Sequence, residues 1–273
     1  MPTYIHELQD WPGFQWDKAL IAQRLAPVRH LQGRLIGRME ALGFPLRTEA
    51  VLATLTEDVL KSSEIEGEQL NRDQVRSSIA RRLGLEIGGL TPADRHVEGV
   101  VEMMLDATQN YSAALNAERL FAWHAALFPT GRSGMTKIVV GGWRDDASGP
   151  MQVVSGAVGK ERVHYKAPPA KRLKTEMAAF LKWFEAKEAL DPVLKAALAH
   201  LWFVAIHPFD DGNGRIARDC RYGACPFRSQ SAALLQHVGA NPHRAQSVLR
   251  HLGKNPEGRS RHHGVAGMVP CLS

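Results

Sequence analysis

The chain has 273 residues, 44% of them hydrophobic, with 34 basic side chains against 28 acidic ones and three cysteines. That composition excludes an intrinsically disordered chain and a disulfide scaffold, and no apolar run approaches the roughly 18 residues of a membrane-spanning helix. Residues 1–16 carry Glu7 and Asp10 inside a broken apolar pattern, unlike a signal peptide, so a cytoplasmic protein is expected.

The charge is unevenly spread. From Asp219 onward seven basic residues face only Asp219 and Glu257, so this tail holds almost all of the net charge of +6. The body up to Arg218 is nearly neutral, and no nucleic-acid binding is expected of it. Cys220, Cys225 and Cys271 all fall in the tail as well.

In chain order, apolar residues at helical spacing predict helices over residues 16–41 and 47–60, broken at 43–45, and over 97–115 and 118–127, separated by a turn near Asn116. Short β-branched runs at 137–140, 151–155 and 162–165 predict strands, with 151–165 forming a hairpin that turns near 156–159. Helical spacing returns at 173–187 and at 192–206, where Asp191 is the expected N-cap and Pro192 the first helical residue.

The run that carries chemistry is His207-Pro208-Phe209-Asp210-Asp211-Gly212-Asn213-Gly214-Arg215-Ile216-Ala217-Arg218. A helix ends, a Gly-Asn-Gly turn leaves backbone N–H groups free, and a new helix begins with those donors converging, which is the make-up of an anion site. Arg215 and Arg218 lie three apart on one face of the new helix, and two guanidiniums beside a helix N-terminus suit a polyphosphate. Asp211 is a hard oxygen ligand able to hold Mg²⁺ against phosphate oxygens, and His207 is the nearby group able to act as a base near neutrality. Gly212-x-Gly214-x-x-Ala217 also fits a loose dinucleotide-binding pattern. A helix rather than a strand precedes it, so that reading is set aside.

The run resembles the Fic family signature H-x-F-x-[D/E]-G-N-G-R-x-x-R at every specified position. The resemblance implies a mainly α protein: a Fic-type helical core with a small β-hairpin flap, preceded by an N-terminal helical region. It implies a protein adenylyltransferase that moves AMP from ATP to a hydroxyl side chain of a target protein. His207 would deprotonate that hydroxyl and Asp211 would bind Mg²⁺. Gly212, Asn213 and Gly214 would cradle the phosphates, Arg215 and Arg218 would hold the β- and γ-phosphates, and Phe209 would anchor the loop.

Ser62-Ser63-Glu64-Ile65-Glu66-Gly67 resembles the same family's inhibitory motif [S/T]-x-x-x-E-[G/N], with Ser62, Glu66 and Gly67 in the specified places. The implied device is electrostatic: Glu66 pairs with Arg218 and denies it to the γ-phosphate. Without the downstream signature, Glu64, Glu66 and Glu68 would read as a solvated acidic helix end. The 151–165 hairpin stands where the family carries its target-binding flap, whose edge could add a target segment as a further strand. The aromatics of 4–16 are expected as core or docking residues. ATP and an unidentified target protein are the expected partners; no membrane is, and a homodimer is compatible with the resemblance.

The implied organisation is an N-terminal helical region over 1–110 with the inhibitory motif at 62–67, a Fic core over 111–218, and an aberrant tail over 219–273. The tail shows no clear period, and no CxxC or HxxxH spacing supports a metal site. Read from the second nucleotide of each codon, residues 237–258 permit the helix-like string MSAQIRTERKAYYDILEKTQKG, which resembles the family's normal continuation. The tail therefore reads as out-of-frame translation. Competing readings are an enzyme that removes AMP or transfers another phosphate-containing group, and an inactive truncated product that only binds. Sequencing the coding DNA across codons 218 and 219 tests the frame: a nucleotide gained or lost there is expected, and an intact frame confirmed in the source DNA would sink the reading.

Overall fold

The computed structural model describes residues 4–41, 44–85, 88–147, 149–155, 160, 162–187 and 189–224. Among them are eight helices: α1 (Lys18–Ala41), α2 (Phe44–Ile65), α3 (Arg72–Arg82), α4 (Arg95–Gln109), α5 (Ala117–Leu127), α6 (Ala170–Glu185), α7 (Pro192–Ile206) and α8 (Asn213–Ala224). A short 3-10 turn at Ile5–Glu7 and two antiparallel hairpins complete the set, β1 (Arg132–Ser133) with β2 (Thr136–Lys137) and β3 (Gln152–Ser155) with β4 (Arg162–Lys166). The fold is the expected mainly α core with a small hairpin. No helix among the described residues is long and apolar enough to cross a membrane.

Local chemistry sets most helix starts. Asn71 accepts hydrogen bonds from the N–H groups of Asp73 and Gln74 to cap α3, Asp94 accepts from Val97 to cap α4, and Asn116 accepts from Arg119 to cap α5. Asp191 caps α7 through the N–H groups of Val193 and Leu194, with Pro192 next, as the sequence predicts.

The core joins the two halves of the chain. Leu52, Leu55 and Val59 of α2, Val75 and Ile79 of α3, and Val100, Val101 and Met104 of α4 belong to one buried cluster with Trp202 and Phe203 of α7 and Ile216 and Ala217 of α8. Removing that apolar surface from water, at roughly 25 cal/mol per Å², presses α2 against the start of α8 and so brings 62–68 to the signature. Gly99 allows α4 and α5 to touch, because a Cβ there would collide with the carbonyl of Ala126. The N-terminal aromatics dock as expected: Trp11 and Phe14 meet Trp202 edge to face, and Trp11 Nε1 donates to Glu176 at 3.0 Å.

Several boundaries differ from the sequence expectation. α2 starts at Phe44 rather than after the expected break at 43–45, and it continues to Ile65, which carries Ser62 on the helix. The helix expected over 97–115 ends at Gln109 because Asp106 is held there: its carboxylate accepts from Asn110, Arg119 and Trp123. The strand expected over 137–140 is paired only at Thr136–Lys137, since the N–H of Val139 goes to the Asp210 carboxylate instead. α3 has no counterpart in the sequence reading: it buries Ser77 and Ser78 beside Val75 and Ile79 and carries Arg72, Arg76, Arg81 and Arg82, which hide its apolar face. α8 runs six residues past Arg218, with Cys220 and Tyr222 buried and the Tyr222 hydroxyl on Asp58 at 3.2 Å. The turn expected at 156–159 and the tail from 225 onward lie outside the described residues.

Candidate active site

The site begins where α7 stops. His207 caps that helix in the left-handed conformation, φ 53° and ψ 61°, a backbone state that costs a non-glycine residue on the order of 1–3 kcal/mol. Among the described residues it is the one non-glycine with positive φ.

Arg144 holds it there. This guanidinium, almost wholly buried, donates from Nε to the His207 carbonyl at 2.7 Å, from Nη2 to the Pro168 carbonyl at 2.6 Å and from Nη1 to Asp146 at 2.9 Å. The Arg144 N–H reaches the Pro208 carbonyl at 2.9 Å. Nothing in the sequence points to Arg144, because the carbonyls its guanidinium binds, on Pro168 and His207, lie 24 and 63 positions away.

His207 Nδ1 lies 3.2 Å from the Val204 carbonyl. A carbonyl only accepts, so Nδ1 carries the proton and Nε2 keeps its lone pair. Burial holds the imidazole below its ordinary value, with the nearby Arg144 charge acting the same way, so the ring is neutral at pH 7 as a base must be.

The loop that follows is fastened from inside. Phe209 is fully buried and stacks on His124 with ring centroids 4.2 Å apart. Burial lowers the His124 pKa to about 4, so that ring packs as a neutral group. The Asn213 side chain accepts from the Phe209 N–H at 2.9 Å and donates to the Phe209 carbonyl at 2.8 Å, so it closes the turn and leaves only its backbone to meet a phosphate. Gly212 has φ +74°, and a Cβ there would strike Phe128. Asp211 receives the Ser133 hydroxyl from the β1–β2 hairpin on one oxygen and the Gly212 N–H at 2.6 Å on the other.

Both signature arginines are already paired. Arg218 donates from Nη2 to Glu66 Oε1 at 2.6 Å and to the Ser62 carbonyl at 3.0 Å, and from Nε to Ser62 Oγ at 2.9 Å. The same Glu66 oxygen sits against Gly214, where any Cβ would collide with it. The turn at Gly67, φ +80°, then carries the chain to Glu68, whose Oε2 accepts from Arg215 Nη1 at 2.7 Å. Of the three acids at this helix end, only Glu64 has the solvated role, paired with exposed Lys61. Sequence reasoning missed Glu68, Arg144 and Ser133.

The structure thus brings His207, Asp211, the Gly-Asn-Gly turn, both arginines, Ser62 and Glu66 to one place. A cleft of about 590 Å³ opens beside them, lined by Glu68, His96, Phe128, Arg132 and Ser133 among others. Among the described residues no three acids, histidines or cysteines cluster as a metal cage. A single carboxylate at the mouth of an anion turn is the donor set that suits Mg²⁺ carried in by phosphates.

A model of the Fic/DOC family matches residues 114–220, and a model of a domain of unknown function (DUF4172) matches residues 4–85. A uridine 5'-monophosphate transferase of Xanthomonas campestris pv. campestris is 32% identical over 115 residues, which is 39% of this chain and 20% of that protein. A protein adenylyltransferase Fic of Nematostella vectensis is 52% identical over 54 residues, 19% of this chain and 13% of that protein. These alignments span a fifth or less of the relatives' own length. Among solved structures, a Fic family protein from Desulfovibrio desulfuricans G20 superposes with a TM-score of 0.56 at 23% identity, covering 91% of this chain and 71% of that one, a likeness of fold.

Arg144→Ala is expected to lower stability by about 2 kcal/mol or more, since it strips hydrogen bonds from a charged donor to buried carbonyls. Urea unfolding of the variant measures this, and an unchanged midpoint would remove Arg144 from its role as the clamp on His207.

Proposed function

We propose that this chain, which carries a Fic/DOC family domain, is a protein adenylyltransferase held off by Glu66. The observation that carries the proposal is the convergence of a neutral, oriented imidazole with an anion turn flanked by two guanidiniums, one of them occupied by Glu66.

The target's hydroxyl proton goes to His207 Nε2 as its oxygen attacks the α-phosphorus of ATP. The bond from that phosphorus to the bridging oxygen of the β-phosphate breaks, and pyrophosphate leaves. The backbone N–H groups of the Gly212–Gly214 turn and the two arginines oppose the charge that develops, so catalysis is positioning and electrostatic stabilisation. Asp211 would hold Mg²⁺, which when bound supplies charge neutralisation across phosphate oxygens. With Glu66 on Arg218 and over Gly214, the γ-phosphate has neither its cation nor its space. The exposed faces of β3 and β4, with Val154 and Val163, offer a surface for the target segment.

The contacts described act on phosphates and leave the base unread. Uridine monophosphate transfer is therefore the second reading, favoured by the Xanthomonas relative. Presenting the four nucleoside triphosphates separately, with intact-mass detection, decides between them. The same protein run on an AMP-modified target tests removal.

Glu66→Gly is expected to gain nucleotide-dependent self-modification, and His207→Ala in that background to abolish it. A melting temperature raised by Mg-ATP without any mass gain would instead leave a binding role. In the Glu66→Gly protein, kcat/KM is expected to fall with acidity through an imidazole pKa below the ordinary value of 6.5, since removing the Glu66 charge, which favours the imidazolium, moves the pKa further the same way. An acid limb centred above 6.5 would contradict His207 as the base.

A further inference from the structure

Glu68 stands outside the inhibitory motif, yet it touches the signature more intimately than a flanking residue should. Arg215 is 2% exposed, and a guanidinium buried to that degree needs a counter-ion. Glu68 supplies it through Nη1 at 2.7 Å, while the Phe128 ring lies 5.2 Å under the guanidinium carbon.

Glu68 is itself braced. Its N–H bonds the Ser63 carbonyl at 3.0 Å, and the oxygen that holds Arg215 also meets His96 Nε2, from the first turn of α4, at 3.0 Å. Burial pushes the Glu68 carboxyl up, but the His96 hydrogen bond and the Arg215 charge together hold it below its ordinary value, so it stays ionised near neutrality. One carboxylate oxygen thus stands between a cation on α8 and an imidazole on α4.

The two signature arginines are held differently. Arg218 spends Nε and Nη2 on Ser62 and Glu66, so a phosphate must displace them. Arg215 gives Nη1 to Glu68, and its Nε is buried without a hydrogen-bond partner among the described residues. A buried donor without a partner beside an anion turn is one that a bound anion can satisfy. Glu68 therefore leaves Arg215 ready for its ligand, whereas Glu66 occupies Arg218.

We infer that Glu68 is a positioning residue, which fixes the Arg215 guanidinium through Nη1, with His96 as its brace, so that the remaining donors meet the phosphates of the nucleotide as pyrophosphate departs. The inference rests on the nucleotidyl-transfer reading of the site. It separates two acids two residues apart: removing Glu66 releases the enzyme, and removing Glu68 disables it.

The test places Glu68→Ala and Glu68→Gln in the Glu66→Gly protein and follows nucleotide transfer, with ¹⁵N NMR of the Arg215 guanidinium in the nucleotide-free protein as a readout independent of activity. Glu68→Ala is expected to lower kcat on the order of 10- to 100-fold, the cost of a misplaced group, with a smaller change in KM for the nucleotide. Glu68→Gln, which keeps an acceptor for Nη1, recovers part of the loss. In an Arg215→Ala background Glu68→Ala adds nothing further, and the resolved Nη signals of a fixed guanidinium collapse in Glu68→Ala. Faster transfer by Glu68→Ala would make it a second inhibitory acid, and a further loss without Arg215 would make its role structural. Either outcome overturns the inference, as does an unchanged Arg215 spectrum. If Glu66→Gly transfers no nucleotide at all, the adenylyltransferase reading fails on its own, and the spectra still decide whether Glu68 fixes Arg215.

Discussion

Two cations buried on the first turns of α8 need two anions, and that requirement organises the molecule around the site. Arg215 and Arg218 lie three residues apart on one helix face, both almost fully buried. The end of α2 answers them with Glu66 and Glu68, and the positive-φ turn at Gly67 between them sets both carboxylates toward the same helix. Desolvation makes each pairing compulsory in the absence of ligand. A polyphosphate is the ligand class that can replace Glu66 on Arg218 and at the same time meet the Arg215 donors that Glu68 leaves open, so binding must rearrange one pair and can keep the other.

The His207 imidazole is set by a different constraint. α7 stops at His207 in a strained left-handed cap, and the strain is tolerated because Arg144 draws the His207 and Pro208 backbone toward the segment leading to the flap. Phe209 and Asn213 then lock the loop beneath, through a stack on neutral His124 and a reciprocal pair of hydrogen bonds. The flap is tied to the same place: the Tyr165 hydroxyl of β4 donates to the Ala205 carbonyl at 2.6 Å and meets His6 Nδ1 at 3.1 Å, which brings the N-terminal segment into contact with the end of α7.

What the sequence made legible was chemistry carried by neighbours in the chain. The 207–218 run, the Ser62 to Gly67 motif and the Asp191-Pro192 start of α7 each hold their meaning within a dozen residues, and the structure brings the first two together. What it concealed depends on distant partners. Arg144 looks like any arginine among glycines and aspartates until its carbonyl acceptors are known, Ser133 gains its meaning from Asp211, and Glu68 reads as a solvated acid until α4 supplies His96 and α8 supplies Arg215. α3 escaped because its buried face is built partly from serines, which carry no apolar period. The reading of 219–273 meets the structure only up to Ala224, where α8 ends among the described residues.

The central claim is that Glu66 denies Arg218 and the space over Gly214 to the nucleotide. A crystal structure of the Glu66→Gly protein with Mg-ATP, beside that of the unaltered protein with the same ligand, tests it most directly. The account predicts a γ-phosphate on Arg218 and an α-phosphorus facing His207 Nε2 in the variant alone. The same phosphate pose in both proteins, or a variant nucleotide whose phosphates avoid Arg218, would contradict it.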